Sequence, residues 1–336
     1  MNTKILTTKN EDIKIAAEII KAGGLVAFPT ETVYGLGANA LDADAVKKVY
    51  AAKGRPSDNP MIVHIARASD IDKLTPNVNK MIVALIDNFW PGPLTLVLKK
   101  RDEVPTETTG GSDTVAVRMP DDTVALALIA QSGCPVAAPS ANLSGKPSST
   151  KPEHVIDDLS GKIDAIISGE DCRIGIESTV LDVTSEVPMI LRPGLVTAAE
   201  IEAVIGIKPS LDPSLLRKET QADDATEFKP KSPGMKYKHY APKAQMTVIE
   251  GRRNRVINEI ERVKKLNESM GKSVGIILFE EKAFREAAHD FFAKLRELDE
   301  QEVDLILAGA LSDTDGVGFA VMNRMLKSAG YNIVKV

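Results

Sequence analysis

The chain is poor in several residue types, and each shortage closes off a class of function. Among 336 residues there are two cysteines, Cys134 and Cys172, with no CxxC spacing. A disulfide framework and a thiolate zinc site are therefore excluded, and a reducing compartment is indicated. Each cysteine reads as a small buried hydrophobe. Aromatic residues make up only 4%, too few for a series of base-stacking platforms. Basic charge is not in excess. The net charge is −5, whereas non-specific nucleic-acid binders are basic overall or in one strong block. No apolar run approaches the roughly 18 residues that a membrane span needs, and the Met1-Asn2-Thr3-Lys4 start has no apolar signal segment. The expectation is a soluble, cytoplasmic protein. GxGxxG, GxxxxGK[ST] and GxSxG are all missing, and His64, His154, His239 and His289 show no metal-ligand spacing. Catalysis by positioning and electrostatics fits better than a covalent nucleophile or a protein-held metal.

What remains is ordinary in bulk: 43% hydrophobic and 26% charged, in a length that accommodates two domains. The spacing predicts alternating elements over residues 1–207. Helices are expected at 10–22, 77–89 and 122–132, with strands at 25–28, 61–65, 94–98, 114–118, 136–138 and 180–183. Neighbouring strands without an intervening helix point to a mixed sheet in an α/β layered domain. Residues 208–245 are rich in proline with little apolar periodicity and read as a linker. Its end, SPGMKYKHYAP (232–242), is dense in aromatics and lysines for a spacer and reads as a functional loop. Residues 246–336 return to strand–helix alternation and predict a smaller, Rossmann-like parallel sheet, with helices at 253–269, 281–297 and 316–328.

Five polar clusters fall at strand ends. Lys53-Gly54-Arg55-Pro56 places two cations two residues apart, and in extended chain such residues point the same way. A paired anion site and a helix C-terminus carrying cations are both open readings. Pro29 to Gly37 offers hydroxyls and glycines that suit ligand contact or a capped turn. Asn59 and His64 lie near Lys53 and Arg55, and Arg118 closes a strand as either an anion ligand or an edge charge. Pro139 to Gly145, with Ser148 nearby, has the general form of a phosphate- or nucleoside-binding turn. Glu177-Ser178-Thr179 and Arg192-Pro193-Gly194 complete the set. Together they predict a cavity where Lys53, Arg55, Arg118 and Arg192 converge. Four unpaired buried cations would be costly without an anionic ligand.

These clusters, in this order, resemble the Sua5/YrdC/YwlC family of threonylcarbamoyl-AMP synthases. The resemblance rests on PTETVYGLG (29–37), KGRP (53–56), NPMIVHI (59–65), FWPGPLT (89–95), VRMP (117–120), PSANLSG (139–145), EST (177–179), RPG (192–194) and SPGMKYKHYAP (232–242). It covers nearly the whole chain, in the longer Sua5 form. Met61 stands where leucine is expected.

The resemblance implies a YrdC-like twisted mixed sheet around a positively charged cavity (1–207), a linker acting as active-site lid (208–245) and a Sua5 C-terminal domain (246–336). It implies synthesis of threonylcarbamoyl-AMP from L-threonine, bicarbonate or CO2, and ATP, with release of pyrophosphate. The product serves N6-threonylcarbamoylation of adenosine 37 in tRNA, placed by a separate tRNA threonylcarbamoyl transferase. Strong direct tRNA binding is not expected. Lys53 and Arg55 are implied as catalytic residues. Thr32, His64, Arg118, Ala138 and Ser178 are implied for L-threonine, and Arg55, Asn59, Thr114, Ser140, Asn142, Ser148 and Arg192 for ATP. His239 and Tyr240 are implied in the lid. Mg2+ is expected on the ATP phosphates rather than on protein ligands. The alternatives are an RNA-binding module and another ATP-dependent carbamoyl enzyme of the same fold.

Overall fold

A computed structural model describes residues 2–215, 240–312 and 316–336. The chain begins with β1 (Lys4–Leu6) and α1 (Asn10–Lys21), where Ile13, Ala16, Ala17 and Ile20 recur at helical spacing and are buried. β2 (Val26–Phe28) and β3 (Gly35–Asn39) pair antiparallel, with Phe28 opposite Gly35. α2 (Ala43–Lys53) starts at Asp42, whose carboxylate accepts from the Asp44 and Ala45 N–H groups, and stops at Gly54 with φ 62°. β4 (Ile62–His64), α3 (Lys80–Phe89), β5 (Leu94–Lys99), β6 (Thr114–Arg118), α4 (Thr123–Ser132) and β7 (Val136–Ala137) follow. The unit closes with α5 (Pro152–Leu159), β8 (Ala165–Ile167), β9 (Thr179–Asp182), β10 (Met189–Arg192), α6 (Ala198–Ile205) and β11 (Ser210–Leu211).

These strands form one mixed sheet in the order β1-β8-β2-β3-β7-β4-β6-β5-β9-β10-β11. The register fixes what faces what. β4 and β6 run parallel with His64 beside Arg118. β5 joins β6 antiparallel and β9 parallel, so the strand ends carrying Arg118 and Ser178 are brought close. Tyr34, Leu36, Ile65, Leu85 and Leu94 lie in one core with no exposed surface. Each such burial contributes about 1.5–3 kcal/mol of transfer free energy.

The second unit has four strands and three helices: β12 (Gln245–Glu250), α7 (Arg253–Ser269), β13 (Val274–Ile277), α8 (Phe284–Glu300), β14 (Leu305–Gly309), α9 (Val317–Ser328) and β15 (Ile333–Lys335). All its strand pairs are parallel, in the order β13-β14-β12-β15, which agrees with the small Rossmann-like sheet expected. Phe291, Phe292 and Leu295 on α8 are fully buried in its core. That core also takes in Val33 and Ile176 from loops of the first unit. At Gly175, φ is 82° and an added Cβ would lie 2.2 Å from the His289 carbonyl oxygen of α8. Only glycine permits the loop to lie this close to the helix. The second unit is therefore packed directly on the 30–34 and 174–177 loops.

Several expectations are corrected. Lys53 is not in extended chain: it is the last residue of α2, and Gly54 in the left-handed region turns the chain before Arg55. Residues 35–39 are a strand, although the motif reads as a loop. Gly35 and Gly37 serve close packing there. A Cβ on Gly37 would sit 2.8 Å from the side chains of Phe28 and Val136. The linker's first part is not free of structure, since Ser210 and Leu211 pair with β10. Residues 216–239, including His239, lie outside the described residues. Among the described residues no helix is long and apolar enough to cross a membrane.

Candidate active site

One cleft collects the loops at these strand ends. It encloses about 700 Å³, part of it open to solvent. Its walls come from the 30–35 connection, the end of α2, β4, the end of β6, the 138–146 loop, the 177–178 turn, Arg192 and Tyr240.

At one end lies Arg118. Its Nε donates to the Gly92 carbonyl at 3.2 Å and its Nη1 to Thr32 Oγ1 at 2.9 Å. Nη2 lies 2.6 Å from Glu31 Oε1, and both side chains are buried. The contact is close in distance but poorly aligned, so neither Arg118 Nη2 nor the Glu31 oxygens complete a hydrogen bond. The sequence suggested an unpaired cation here; the structure gives it a carboxylate. Beside it, the His64 ring nitrogen Nδ1 lies 3.2 Å from the Ile62 carbonyl. Because a carbonyl only accepts, Nδ1 carries the hydrogen. Burial, and then the Arg118 charge, pushes the His64 imidazole down to about 3, so it is neutral near pH 7.

Across the cleft, α2 delivers Lys53 to the 138–146 loop. Nζ donates to the Ser140 carbonyl at 2.5 Å and to the Asn142 carbonyl. Burial, and then the Arg55 charge, holds the ammonium well below the usual lysine range. Arg55 donates from Nε to Asn59 O at 3.3 Å and from Nη2 to Pro60 O at 3.0 Å. Burial lowers its guanidinium to about 10. Among the described residues neither cation has a carboxylate within ion-pair distance. Carbonyl dipoles hold them in place, and the Asp158 and Asp58 carboxylates act on Lys53 and Arg55 only from beyond ion-pair distance. Asn142 donates its amide N–H groups to Leu143 O and Lys146 O, which leaves its buried Oδ1 without a donor.

The third wall is the 177–178 turn. Ser178 Oγ lies 2.7 Å from Thr95 Oγ1 and accepts from Arg192 Nη2 at 3.2 Å. Arg192 Nε donates to Ser178 O at 3.1 Å. Glu177 faces the cleft and accepts from Ser148 Oγ at 2.6 Å and from Arg324 Nε at 3.1 Å. Burial works to raise its carboxyl, but Arg324, Arg192, the Ser148 hydroxyl and its own backbone together hold it below the ordinary range. Tyr240 also hydrogen-bonds this carboxylate, and burial followed by the Glu177 charge pushes its phenol up to about 12.

Residues 18–194 match the Sua5/YciO/YrdC family model, described as telomere recombination. The chain belongs to the Sua5/YciO/YrdC family. Residues 196–330 match a second model, described as threonylcarbamoyl-AMP synthase, C-terminal domain. The threonylcarbamoyl-AMP synthase of Pyrococcus abyssi is 49% identical over 96% of this chain and 96% of its own length. That of Bacillus subtilis is 47% identical over 99% of this chain and 97% of its own. The crystal structure of P. abyssi Sua5 complexed with L-threonine superposes with a TM-score of 0.93 at 47% identity, covering 99% of this chain and all of the other.

Within this Sua5/YciO/YrdC fold the cleft gathers most of the residues marked from sequence. Thr32, His64, Arg118, Ala138, Ser178, Lys53, Arg55, Ser140, Asn142, Arg192 and Tyr240 all line it. The Ala138 N–H donates to Ile62 O. Asn59, Thr114 and Ser148 do not line the cleft. The carbonyl of Asn59 accepts from Arg55 and Tyr50, Thr114 Oγ1 pairs with Ser112, and Ser148 holds Glu177. Their contribution is one step behind the surface. Sequence reasoning gave no role to Glu31, Arg296 or Arg324. Nothing in a single sequence links Glu177 to a residue 147 positions away.

Proposed function

We propose that this chain is a threonylcarbamoyl-AMP synthase. It joins L-threonine, bicarbonate or CO2, and ATP, releases pyrophosphate, and so supplies the N6-threonylcarbamoyl group of adenosine 37 in tRNA. The observation that carries the reading is one cleft holding a hydroxyl-flanked arginine together with two cations that form no ion pair among the described residues, in a chain that matches such synthases along nearly its full length.

The residues have distinct tasks. Arg118 takes the threonine carboxylate, with the Thr32 and Ser178 hydroxyls beside it and the backbone around Ala138 contacting the rest of the amino acid. His64, neutral, packs and orients rather than adding charge. The threonine nitrogen bonds to the carbon of CO2 and loses a proton. An oxygen of the resulting carbamate then attacks the ATP α-phosphorus, and the bond to pyrophosphate breaks. Carbamate and triphosphate are both anions and repel each other. Lys53 and Arg55 stand where that repulsion must be offset, which is electrostatic catalysis by preorganised charge. Ser140, Asn142 and Arg192 hold the nucleotide, with Asn59, Thr114 and Ser148 acting through the residues they support. Tyr240 forms part of the wall. The walls offer cations, hydroxyls and carbonyls, while the Glu177 carboxylate is already occupied by Arg324, Ser148 and Tyr240. This donor set fits Mg2+ carried on triphosphate oxygens and water. Bound there, the ion would neutralise phosphate charge. The adenylate product is a reactive mixed anhydride that passes to a tRNA-modifying transferase.

The test is pyrophosphate release from ATP with L-threonine and bicarbonate omitted in turn, for wild type, Lys53→Ala and Arg55→Ala. Release needing both co-substrates, and reduced at least about a hundredfold in each variant, is expected. Release independent of threonine would overturn the reading.

A further inference from the structure

Arg324 lies on α9 of the C-terminal unit, has no exposed surface, and points into the first unit. Its Nε donates to Glu177 Oε2 at 3.1 Å and its Nη2 to Glu177 O at 3.3 Å. Nη1 donates to Pro193 O and, at 3.2 Å, to Ala320 O. The guanidinium is thus tied to the residue before Ser178 and the residue after Arg192. These are the neighbours of two cleft residues.

Glu177 presents a puzzle that Arg324 resolves. A carboxylate on the wall of a cleft for ATP and carbamate should repel both. It also faces Arg192, whose attraction to it opposes the effect of burial on that guanidinium. If Glu177 were left with no other cation, Arg192 would be its natural partner. Arg192 would then turn from Ser178 and the nucleotide to an internal ion pair. A planar guanidinium that bonds the Glu177 side chain and main chain together occupies the carboxylate from behind. Ser148 and Tyr240 fill its remaining positions.

We propose that Arg324 is a positioning residue for synthesis: it occupies Glu177 from the C-terminal unit, so that Arg192 stays available to the anionic nucleotide. The inference rests on the function proposed above. It gives the C-terminal unit a part in the chemistry without contact to substrate. Arg296 on α8 forms a parallel contact, bonding Pro147 O at 2.7 Å and Asp158 Oδ2 at 2.8 Å behind the 138–146 loop.

The experiment compares wild type, Arg324→Met, Arg324→Lys and the double variant Arg324→Met/Glu177→Gln, reading ATP affinity by titration and kcat/KM for ATP by pyrophosphate release. Arg324→Met should lose about tenfold or more in both, the usual scale for stranding one member of a buried charge pair. Arg324→Lys, which keeps the charge but loses the fork that joins Glu177 to Pro193, should lose less than Arg324→Met. The double variant should regain at least about tenfold over Arg324→Met, since no charge remains to draw Arg192 away. A residue that merely staples the two units would not be rescued by Glu177→Gln. An unrescued double variant, or an Arg324→Met protein with wild-type values, overturns the proposal. Should Arg324→Met fail to fold, a tenfold loss in Arg324→Lys that Glu177→Gln does not relieve overturns it equally. A wild-type chain that binds ATP yet makes no threonylcarbamoyl adenylate sinks the function instead, and the ATP titrations still decide the role of Arg324.

Discussion

Arg118 and Glu31 meet at 2.6 Å with both side chains buried, yet their atoms are not aligned for a hydrogen bond. The pair therefore behaves as two charges held near each other by the fold. It keeps Arg118 compensated while leaving it free to accept a better aligned carboxylate. That explains how a cation can wait in a buried cleft before substrate arrives.

Replacing Glu31 by Gln strands the arginine charge. The variant should be less stable by about 3 kcal/mol in denaturant unfolding. Saturating L-threonine should raise its melting temperature by more than it raises that of wild type, because the ligand carboxylate restores the missing negative charge. An equal or smaller increase would show that Arg118 does not receive the threonine carboxylate.

Lys53 supports a prediction about protons. Burial and Arg55 hold its ammonium well below the usual range in the free protein, and a bound anion raises it again. ATP binding at a pH below the ordinary lysine value of about 10.4 but above the lowered one should therefore take up protons, to a limit of about one per site. Calorimetric titration in buffers of different ionisation enthalpy measures this directly. Binding heats independent of buffer, or uptake unchanged in Lys53→Met, would remove Lys53 from the anion site.

His64 sets a pH dependence of stability. It titrates at about 3 when folded and near 6.5 when unfolded. Between those values the unfolded chain binds the extra proton, so stability rises with pH across the window and is level above about 7. The slope from this one group is about 1.4 kcal/mol per pH unit. Unfolding measured from pH 7.5 to pH 5 should show that decline, and His64→Gln should flatten it by about that amount. Identical slopes for the two proteins would show that the imidazole is not held neutral.

Much of this molecule is visible in one dimension. The charged amphipathic pattern over 253–269 marks α7 in full. The short apolar runs ending in PTET, RMP, PSAN and RPG mark strand ends, because strands stop where glycine, proline and hydroxyl residues gather. Short edge strands such as β1 and β15 are not legible there, because three residues carry too little periodicity to separate a strand from a loop. β3 was missed for a different reason. Gly35 and Gly37 argue against a strand by propensity, and the close approach of Phe28 with Ala138 and Val136 explains their presence.

Local chemistry was thus written in the chain: which turns are polar, which helices are amphipathic, and that the cations sit beside hydroxyl-rich loops. Compensation was not. Whether Arg118 is unpaired depends on Glu31, and whether Arg192 is available depends on Arg324. Those pairings arise where β2, β6, β9 and α9 come together in space. Charge interactions act through distance and burial, and a sequence specifies neither until the chain has folded.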